Sequence, residues 1–383
     1  MAREMDFVDE CYADKDLSLL KKLTLVIPTY NRNYYLSRCL WYHAHFPFGQ
    51  IIVADSSPEE KKVVNRDTVA RMREMFGADI LYLEYEPETE RYGGDIYRKW
   101  GDAVMHVETE YSQICTDKEL LIPITMIKCI EILSNNPEYV FADGYHYNIE
   151  QGQNKIYYYS ILPSVSSDAE QSIERFFEMV NNPGCSLLSL FRTTHIKCIY
   201  MSYLKSEVGD LRFGELYLEL LSTILGKSYF VSDSIHTYRD TIAFSNSKNE
   251  QKNRESSTYR YPKIWDYPRD YYNKCYSSFK DGINNALNKS TQQMLSDDID
   301  RYLNTYIIKR LGKPHPLKKI RALRAIYDLF PKNIQLYLLK ILFQNHNGTM
   351  DYNLKVIPEN KVAVLIIKII NEYNLIFNLS KTV

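Results

Sequence analysis

The chain has 383 residues, of which 45% are hydrophobic and 25% charged, with a formal charge of −1. This length exceeds one ordinary domain, so one large domain and a smaller one are expected. The near-neutral balance excludes a globally basic nucleic-acid binder, and no uncharged apolar run reaches 18 residues, which argues against a spanning helix.

The N-terminal stretch Met1–Glu10 lacks the apolar core of a signal peptide. The seven cysteines are scattered without C-x-x-C spacing, as in reduced thiols. A cytoplasmic protein is expected. Leu23–Pro28 is a β-branched and leucine run ending at proline and reads as an interior strand. Thr29-Tyr30-Asn31-Arg32-Asn33 is then a polar loop and Tyr34–His45 a helix. Gln50–Ala54 is a second buried strand, running into Asp55. Val69–Phe76 reads as a helix, Ile80–Tyr85 as a third strand and Tyr97–Glu108 as a further helix. This alternation is a βαβ pattern with polar residues concentrated after the strands, where open α/β sheets bind ligands. Neither a P-loop nor a G-x-G-x-x-G follows the first strand. Tyr30 is placed to stack on a base. Asp55 is placed either to accept from a base or ribose or to open an Asx-turn.

The next strand runs through Tyr111-Ser112-Gln113-Ile114-Cys115-Thr116 into Asp117-Lys118-Glu119. In an extended chain residues two apart share a side, so Asp117 and Glu119 would converge on one hard cation. Alternatively Asp117 caps the following helix and Glu119 lies in its first turn. Gly93-Gly94 gives a turn before a helix whose first turns carry Arg98 and Lys99, either a phosphate-facing pair or a solvated one.

Further on, Tyr139–Ala142 is a short strand, Gly152–Lys155 a hairpin turn, Pro163–Ala169 a loop and Ile173–Val180 a helix. Cys185–Phe191 reads as a strand reaching Arg192, which either fixes a substrate oxygen or pairs with an acidic neighbour. Leu211–Leu216 leads into an apolar helix over Tyr217–Leu225. Glu215 lies there as candidate general base, with Glu219 and Asp210 as runners-up. Tyr229–Tyr238 is a strand that carries His236 and leads to Arg239; His236 is either a ligand or a satisfied structural histidine. Ser245–Ser257 is polar and reads as a linker, and residues 258–383 read as mainly helical.

The series L-T-L-V-I-P-T-Y-N-R, I-I-V-A-D-S-S, C-T-D-K-E, F-R-T, G-E-L-Y-L-E-L-L and Y-R-D spans roughly residues 20–242. It resembles family 2-type glycosyltransferases with a GT-A fold, and more closely a bacterial and archaeal subgroup with a C-A-D-D-D-like motif. The resemblance implies an α/β GT-A nucleotide-diphospho-sugar transferase domain over residues 1–244, a linker or loop over 245–257 and a helical accessory domain over 258–383. It also implies that Pro28, Thr29, Tyr30, Arg32 and Asp55 line a nucleotide pocket, with Lys99, His236 and Arg239 towards the phosphates. Asp117 and Glu119 would hold Mg²⁺ or Mn²⁺ against the donor diphosphate, and Arg192 and Glu215 would be catalytic. One departure is D-K-E where the subgroup has three aspartates, which leaves Lys118 between the carboxylates.

The expected activity is inverting, metal-dependent transfer of a sugar from a nucleotide-activated donor, UDP-sugar first, to a glycan or lipid-linked hydroxyl. Donors such as a CDP-polyol stay open. Nucleotidyl transfer and a non-catalytic nucleotide- or carbohydrate-binding scaffold are the alternatives. The basic segment 309–329 reads either as a peripheral contact with the inner face of the cell membrane or as a solvated helix face. The apolar stretch Val362–Leu379 suits core packing or a homo-oligomer contact.

Overall fold

The first strand is a near-continuous apolar run whose successive residues point to opposite faces, and its two faces serve two different cores. In β1 (Leu23–Thr29), Leu23, Leu25 and Ile27 belong to one buried cluster and Val26 to the other. In β2 (Gln50–Asp55), Ile51 and Val53 face the first cluster while Ile52 and Ala54 face the second. A sheet apolar on both faces must be covered on both, and helices cover it. The computed structural model describes residues 16–87, 96–151, 156–160, 166–240, 264–288, 296–311, 355–356 and positions 366, 369 and 373.

The chain continues through α1 (Asn33–Ala44), α2 (Glu59–Phe76), β3 (Ile80–Glu84), α3 (Ile96–Met105), β4 (Tyr111–Ile114) and β5 (Glu119–Leu121). It then forms α4 (Pro123–Asn135), β6 (Tyr139–Gln151), β7 (Ile156–Ser160), α5 (Ser172–Asn181), β8 (Leu190–Arg192) and α6 (Thr193–Lys205). Last come α7 (Leu211–Leu225), β9 (Lys227–Asp240), α8 (Arg269–Asn288), α9 (Ser296–Leu311) and β10 (Lys355–Val356). Strands β2 and β4 flank β1 in parallel, and β3 pairs in parallel with β2. The sheet order is β10-β7-β6-β8-β4-β1-β2-β3, with β8 antiparallel to both neighbours. Strand β9 runs parallel to β6 and antiparallel to β5. The expected α/β class holds, with the first strands in the expected order.

Two helices start earlier than periodicity suggests. Helix α2 begins at Glu59, not Val69: Pro58 sits in extended geometry ahead of it, Glu59 and Glu60 suit the dipole, and Gly77 closes it at φ 64°. Helix α7 begins at Leu211 because the Asp210 carboxylate accepts the N–H groups of Arg212 and Phe213, both at 2.9 Å. Conversely, the strand expected at Cys185–Phe191 is reduced to Leu190–Arg192.

The accessory domain expected over 258–383 does not have a separate core in its described part. Phe279, Ile283 and Leu287 of α8 and Leu303, Tyr306 and Ile307 of α9 are buried in one cluster with Phe213, Leu216 and Tyr217 of α7. Phe279 is fully buried, its ring 5.8 Å from that of Phe213. Phe279→Ala should therefore cost the whole molecule about 3–5 kcal/mol in one cooperative denaturant transition. A separate early transition with the main one unmoved would contradict the shared core. Ile366, Ile369 and Tyr373 join the other cluster, against Trp41 of α1. The expected turn at 152–155, the linker at 245–257 and residues 312–329 of the basic segment lie outside the described residues. Its first two cations are engaged internally: Lys309 donates to the Asn181 carbonyl at 2.9 Å and Arg310 to Glu215 and Glu219. Among the described residues no helix is long and apolar enough to cross a membrane.

Candidate functional site

The crevice follows from Pro28. Pairing between β1 and β4 ends at Val26 and Ile114, and Cys115 donates its N–H to the Val26 carbonyl at 2.9 Å. Two residues on, Pro28 directs the same backbone edge towards β4 but has no N–H to offer. Strand β4 has by then turned away, and a gap opens at the carboxyl end of the sheet. Chain order also reverses here: β2 and β3 lie to one side of β1 and β4 to the other. Such a switch point is where open α/β sheets bind ligands.

Asp117 and Glu119 stand at this gap, by a different local geometry from the one expected. The stretch is not extended. Asp117 and Lys118 are the central residues of a turn closed by the Glu119 N–H on the Thr116 carbonyl at 2.9 Å. Strand alternation therefore does not explain their placement. The Asp117 carboxylate, 3% exposed, accepts from the Thr29 hydroxyl at 2.9 Å and from Arg32 Nη1 at 3.2 Å. Burial pushes its carboxyl up from the usual aspartate range, while the Arg32 guanidinium and the Thr29 hydroxyl pull it down. Glu119 is 1% exposed; its Oε1 accepts from Arg239 Nε at 2.7 Å. Its Oε2 has no hydrogen-bond partner among the described residues. A buried carboxylate oxygen without a donor is costly unless a cation or water meets it. The two carboxylates thus fit a hard divalent ion, completed by waters or ligand oxygens. Lys118 lies with its ammonium 4.6 Å from the centre of the Tyr35 ring. Burial moves its amine down.

The neighbouring loops are organised around the same gap. Asn31 takes a left-handed conformation at φ 53°, tolerated by asparagine, and donates its N–H to Ser57 Oγ at 2.8 Å. Asp55 is fully buried and accepts from the Ser57 N–H at 2.7 Å and from Asn65 and Tyr82, each at 2.6 Å. This carboxylate shapes the loop, and three of its roughly four acceptor sites are taken by these donors. Lys99 is buried in α3 and donates to the Thr29 carbonyl at 3.2 Å and Ser56 Oγ at 2.6 Å. It ties the first two loops together. Tyr30 is half-buried beside them. Strand ends, loops and α3 thus bring Pro28, Thr29, Tyr30, Arg32, Asp55, Lys99, Asp117, Glu119 and Arg239 to this side of the sheet.

Two expected site residues are elsewhere. Arg192 sits opposite Tyr111, at the amino end of β4, because β8 runs antiparallel to β4. Its guanidinium donates to the carbonyls of Leu133, Asn136 and Tyr139, tying down the end of α4. It has no place in the Asp117 crevice. His236 points inward: Gln113 donates to its Nε2 at 2.7 Å, and its Nδ1 lies 3.2 Å from Asp143. Asp143 also accepts from Ser189 and His146, at 2.9 and 3.0 Å. Burial lowers the His236 imidazole to about 4, against the pull of Asp143 and with the help of His146. Its folded value lies below its unfolded value near 6.5, so its stabilisation is complete above about pH 6.5 and is lost as pH falls towards 4. That limb is worth roughly 3 kcal/mol. His236→Gln should flatten it, measured as unfolding free energy between pH 7 and 4.5. A limb of unchanged slope would assign the titration to another group.

Beneath the turn, Cys39, His43 and Cys115 bring their ligand atoms within 4.8 Å of one another. They are satisfied without a metal: His43 Nδ1 donates to the Cys39 carbonyl at 2.8 Å, and the Leu121 N–H donates to Nε2 at 3.2 Å. No local sequence signal marks this packing, since its members come from α1, β5 and the residue after β4.

Glu215 lies at the carboxyl-edge end of the helical layer. Gly214, beside it, packs so closely on Tyr97 of α3 that a Cβ would come within 2.6 Å of that ring. Lys99, two residues further along α3, reaches the Thr29 loop. The Glu215 side chain is 19% exposed and holds Arg212 at 3.1 Å and Arg310 at 3.0 Å. Of its runners-up, Asp210 is the cap of α7 and also accepts from the Tyr267 hydroxyl at 2.9 Å. Glu219 is fully buried under Arg310 and Tyr306. The Arg310 contact escaped the sequence reading because that residue lies 95 positions from Glu215.

The sequence matches no protein-family model, and no curated protein is significantly similar to it. Among solved structures it is similar to residues 1–349 of Staphylococcus aureus TarS in complex with UDP-GlcNAc. That likeness has 11% identity and a TM-score of 0.49, over 84% of this chain and 80% of that one. The same part of TarS with UDP gives 11% and 0.49 over 83% and 78%.

Proposed function

We propose that the chain is a glycosyltransferase that moves a sugar from a nucleotide-activated donor, a UDP-sugar first, to a hydroxyl of a glycan or lipid-linked acceptor. The observation that carries this reading is the buried Asp117–Glu119 pair at the switch-point gap, with Glu119 Oε2 lacking a donor. Asp117 and Glu119 would hold Mg²⁺ or Mn²⁺, which when bound supplies positive charge to the departing diphosphate. Tyr30 would offer a ring face to the base, and the loops pinned by Lys99 and Asn31 would receive the ribose and diphosphate. Arg32 and Arg239 bring two further positive charges to the same carboxylates. Glu215 would accept the acceptor hydroxyl's proton during in-line attack, giving inversion at the anomeric carbon. Any contact with a membrane surface would rest on residues 312–329, since Lys309 and Arg310 are engaged internally.

One observation favours a second reading. Each metal-site carboxylate already carries an arginine, as expected for a scaffold that binds nucleotide or carbohydrate without metal or turnover. A panel of nucleotide-sugars incubated with and without Mn²⁺, assayed for release of nucleoside diphosphate or monophosphate, separates the two. Metal-dependent release supports transfer. Absence of release with any donor leaves the scaffold, and release of pyrophosphate points to nucleotidyl transfer.

A further inference from the structure

We propose that Arg310 of α9 is a positioning residue for sugar transfer, which makes the C-terminal helix part of the transfer site. This rests on the reading of Glu215 as the general base. The Arg310 guanidinium donates from Nη2 to Glu215 Oε1 at 3.0 Å and to Glu219 Oε1 at 2.7 Å, and from Nε to Glu219 Oε2 at 3.0 Å. Tyr306, one turn earlier on α9, donates to Glu219 Oε2 at 2.9 Å. The other Glu215 oxygen accepts from Arg212. Two guanidinium groups from two helices therefore fix the plane of this carboxylate. Each occupies one acceptor site, and a carboxylate has about four, so the remaining lone pairs can meet an acceptor hydroxyl.

The arrangement is expensive to build, which argues that it is more than surface pairing. Glu219 is 0% exposed and the Arg310 side chain 10%. Burial pushes the Glu219 carboxyl up, while Arg310 pulls it down. Burial opposes the Arg310 charge, but Glu219 and Glu215 hold it firmly protonated. A surface arginine on α9 would be enough for docking, since the apolar contacts of Leu303, Tyr306 and Ile307 already hold that helix. What the buried guanidinium adds is a fixed direction for Glu215, which keeps 19% exposure where Asp210 and Glu219 are buried. A misplacement of about 1 Å in a reacting group can cost 10²-fold in rate.

The test is a double-mutant cycle on the full chain, using the donor and acceptor that the wild type turns over. Arg310→Met alone leaves Glu219 buried and unpaired, so the cycle is built in a Glu219→Gln background, where that charge is gone. Expected is a fall in kcat of about 10–100-fold with the donor KM within about twofold, and partial recovery in Arg310→Lys. Once Glu215 is also glutamine, Arg310→Met should cost nothing further, because the carboxylate it directs has been removed. An equal loss with and without Glu215, or no loss of kcat in the Glu219→Gln background, overturns the positioning role. Normal transfer by the Glu215→Gln single variant overturns the reading of Glu215 itself, and this inference with it.

Discussion

Glu215→Gln is expected to lower transfer to the acceptor by about 10²–10⁴-fold, the usual contribution of general acid–base catalysis, while donor affinity stays near wild type. The simplest structural role for an acidic residue near a helix start is capping, and that position is filled. Asp210 caps α7, and Glu215 lies one turn inside the helix. What remains for Glu215 structurally is its contact with Arg310 through one oxygen and Arg212 through the other; the glutamine carbonyl can keep one of these, while its NH2 meets the other donor. Stability should therefore fall by no more than about 1.5–3 kcal/mol, the worth of one charge-assisted hydrogen bond, while the rate falls greatly. Single-turnover transfer at matched folded fraction, with donor binding on the same sample, makes the comparison. Transfer near wild type would remove Glu215 as the base. The role would not pass easily to Asp210 or Glu219, whose oxygens are taken by α7's own N–H groups and tyrosine hydroxyls or buried beneath Arg310.

Asp117→Asn and Glu119→Gln should each weaken Mn²⁺-supported UDP binding by at least about 10-fold, since even outer partners of a metal site cost 10–100-fold in metal affinity when removed. The two variants should differ without metal. In Asp117→Asn the new amide carbonyl can keep the Thr29 contact, but the negative charge facing Arg32 is lost. In Glu119→Gln the charge facing Arg239 is lost as well, but the amide carbonyl keeps that contact and the NH2 takes the oxygen position that had no partner among the described residues. Calorimetric titration of UDP with and without Mn²⁺ reads both. Metal-dependent affinity unchanged in both variants would sink the assignment and leave the arginine-neutralised scaffold as the better account of this gap.

The site could be read from sequence where chemistry and chain position coincide. An apolar strand ending in Pro28-Thr29 and another strand followed by Asp117 place polar residues at a sheet edge by local pattern alone. The near-continuous apolar runs of β1 and β2 likewise imply a sheet covered on both faces. The D-K-E geometry was not legible in the same way. Its two carboxylates reach the gap through a turn, and turn and strand differ by one backbone hydrogen bond, from Glu119 to Thr116, that side-chain spacing does not encode.

Sequence alone therefore determined the α/β class, the order of the first strands, the loops at their carboxyl ends and the acidic pair between them. These follow from periodicity and from where polar residues interrupt apolar runs, which are properties of neighbours along the chain. Tertiary structure decided which distant residues share that edge. The antiparallel run of β8 sends Arg192 to the opposite end of the sheet, and the pairing of β9 with β6 turns His236 into a buried network with Asp143. The packing of α9 against α7 brings Arg310 onto Glu215. Strand direction and helix docking are set by long-range burial of apolar surface, and no local pattern in the sequence carries them.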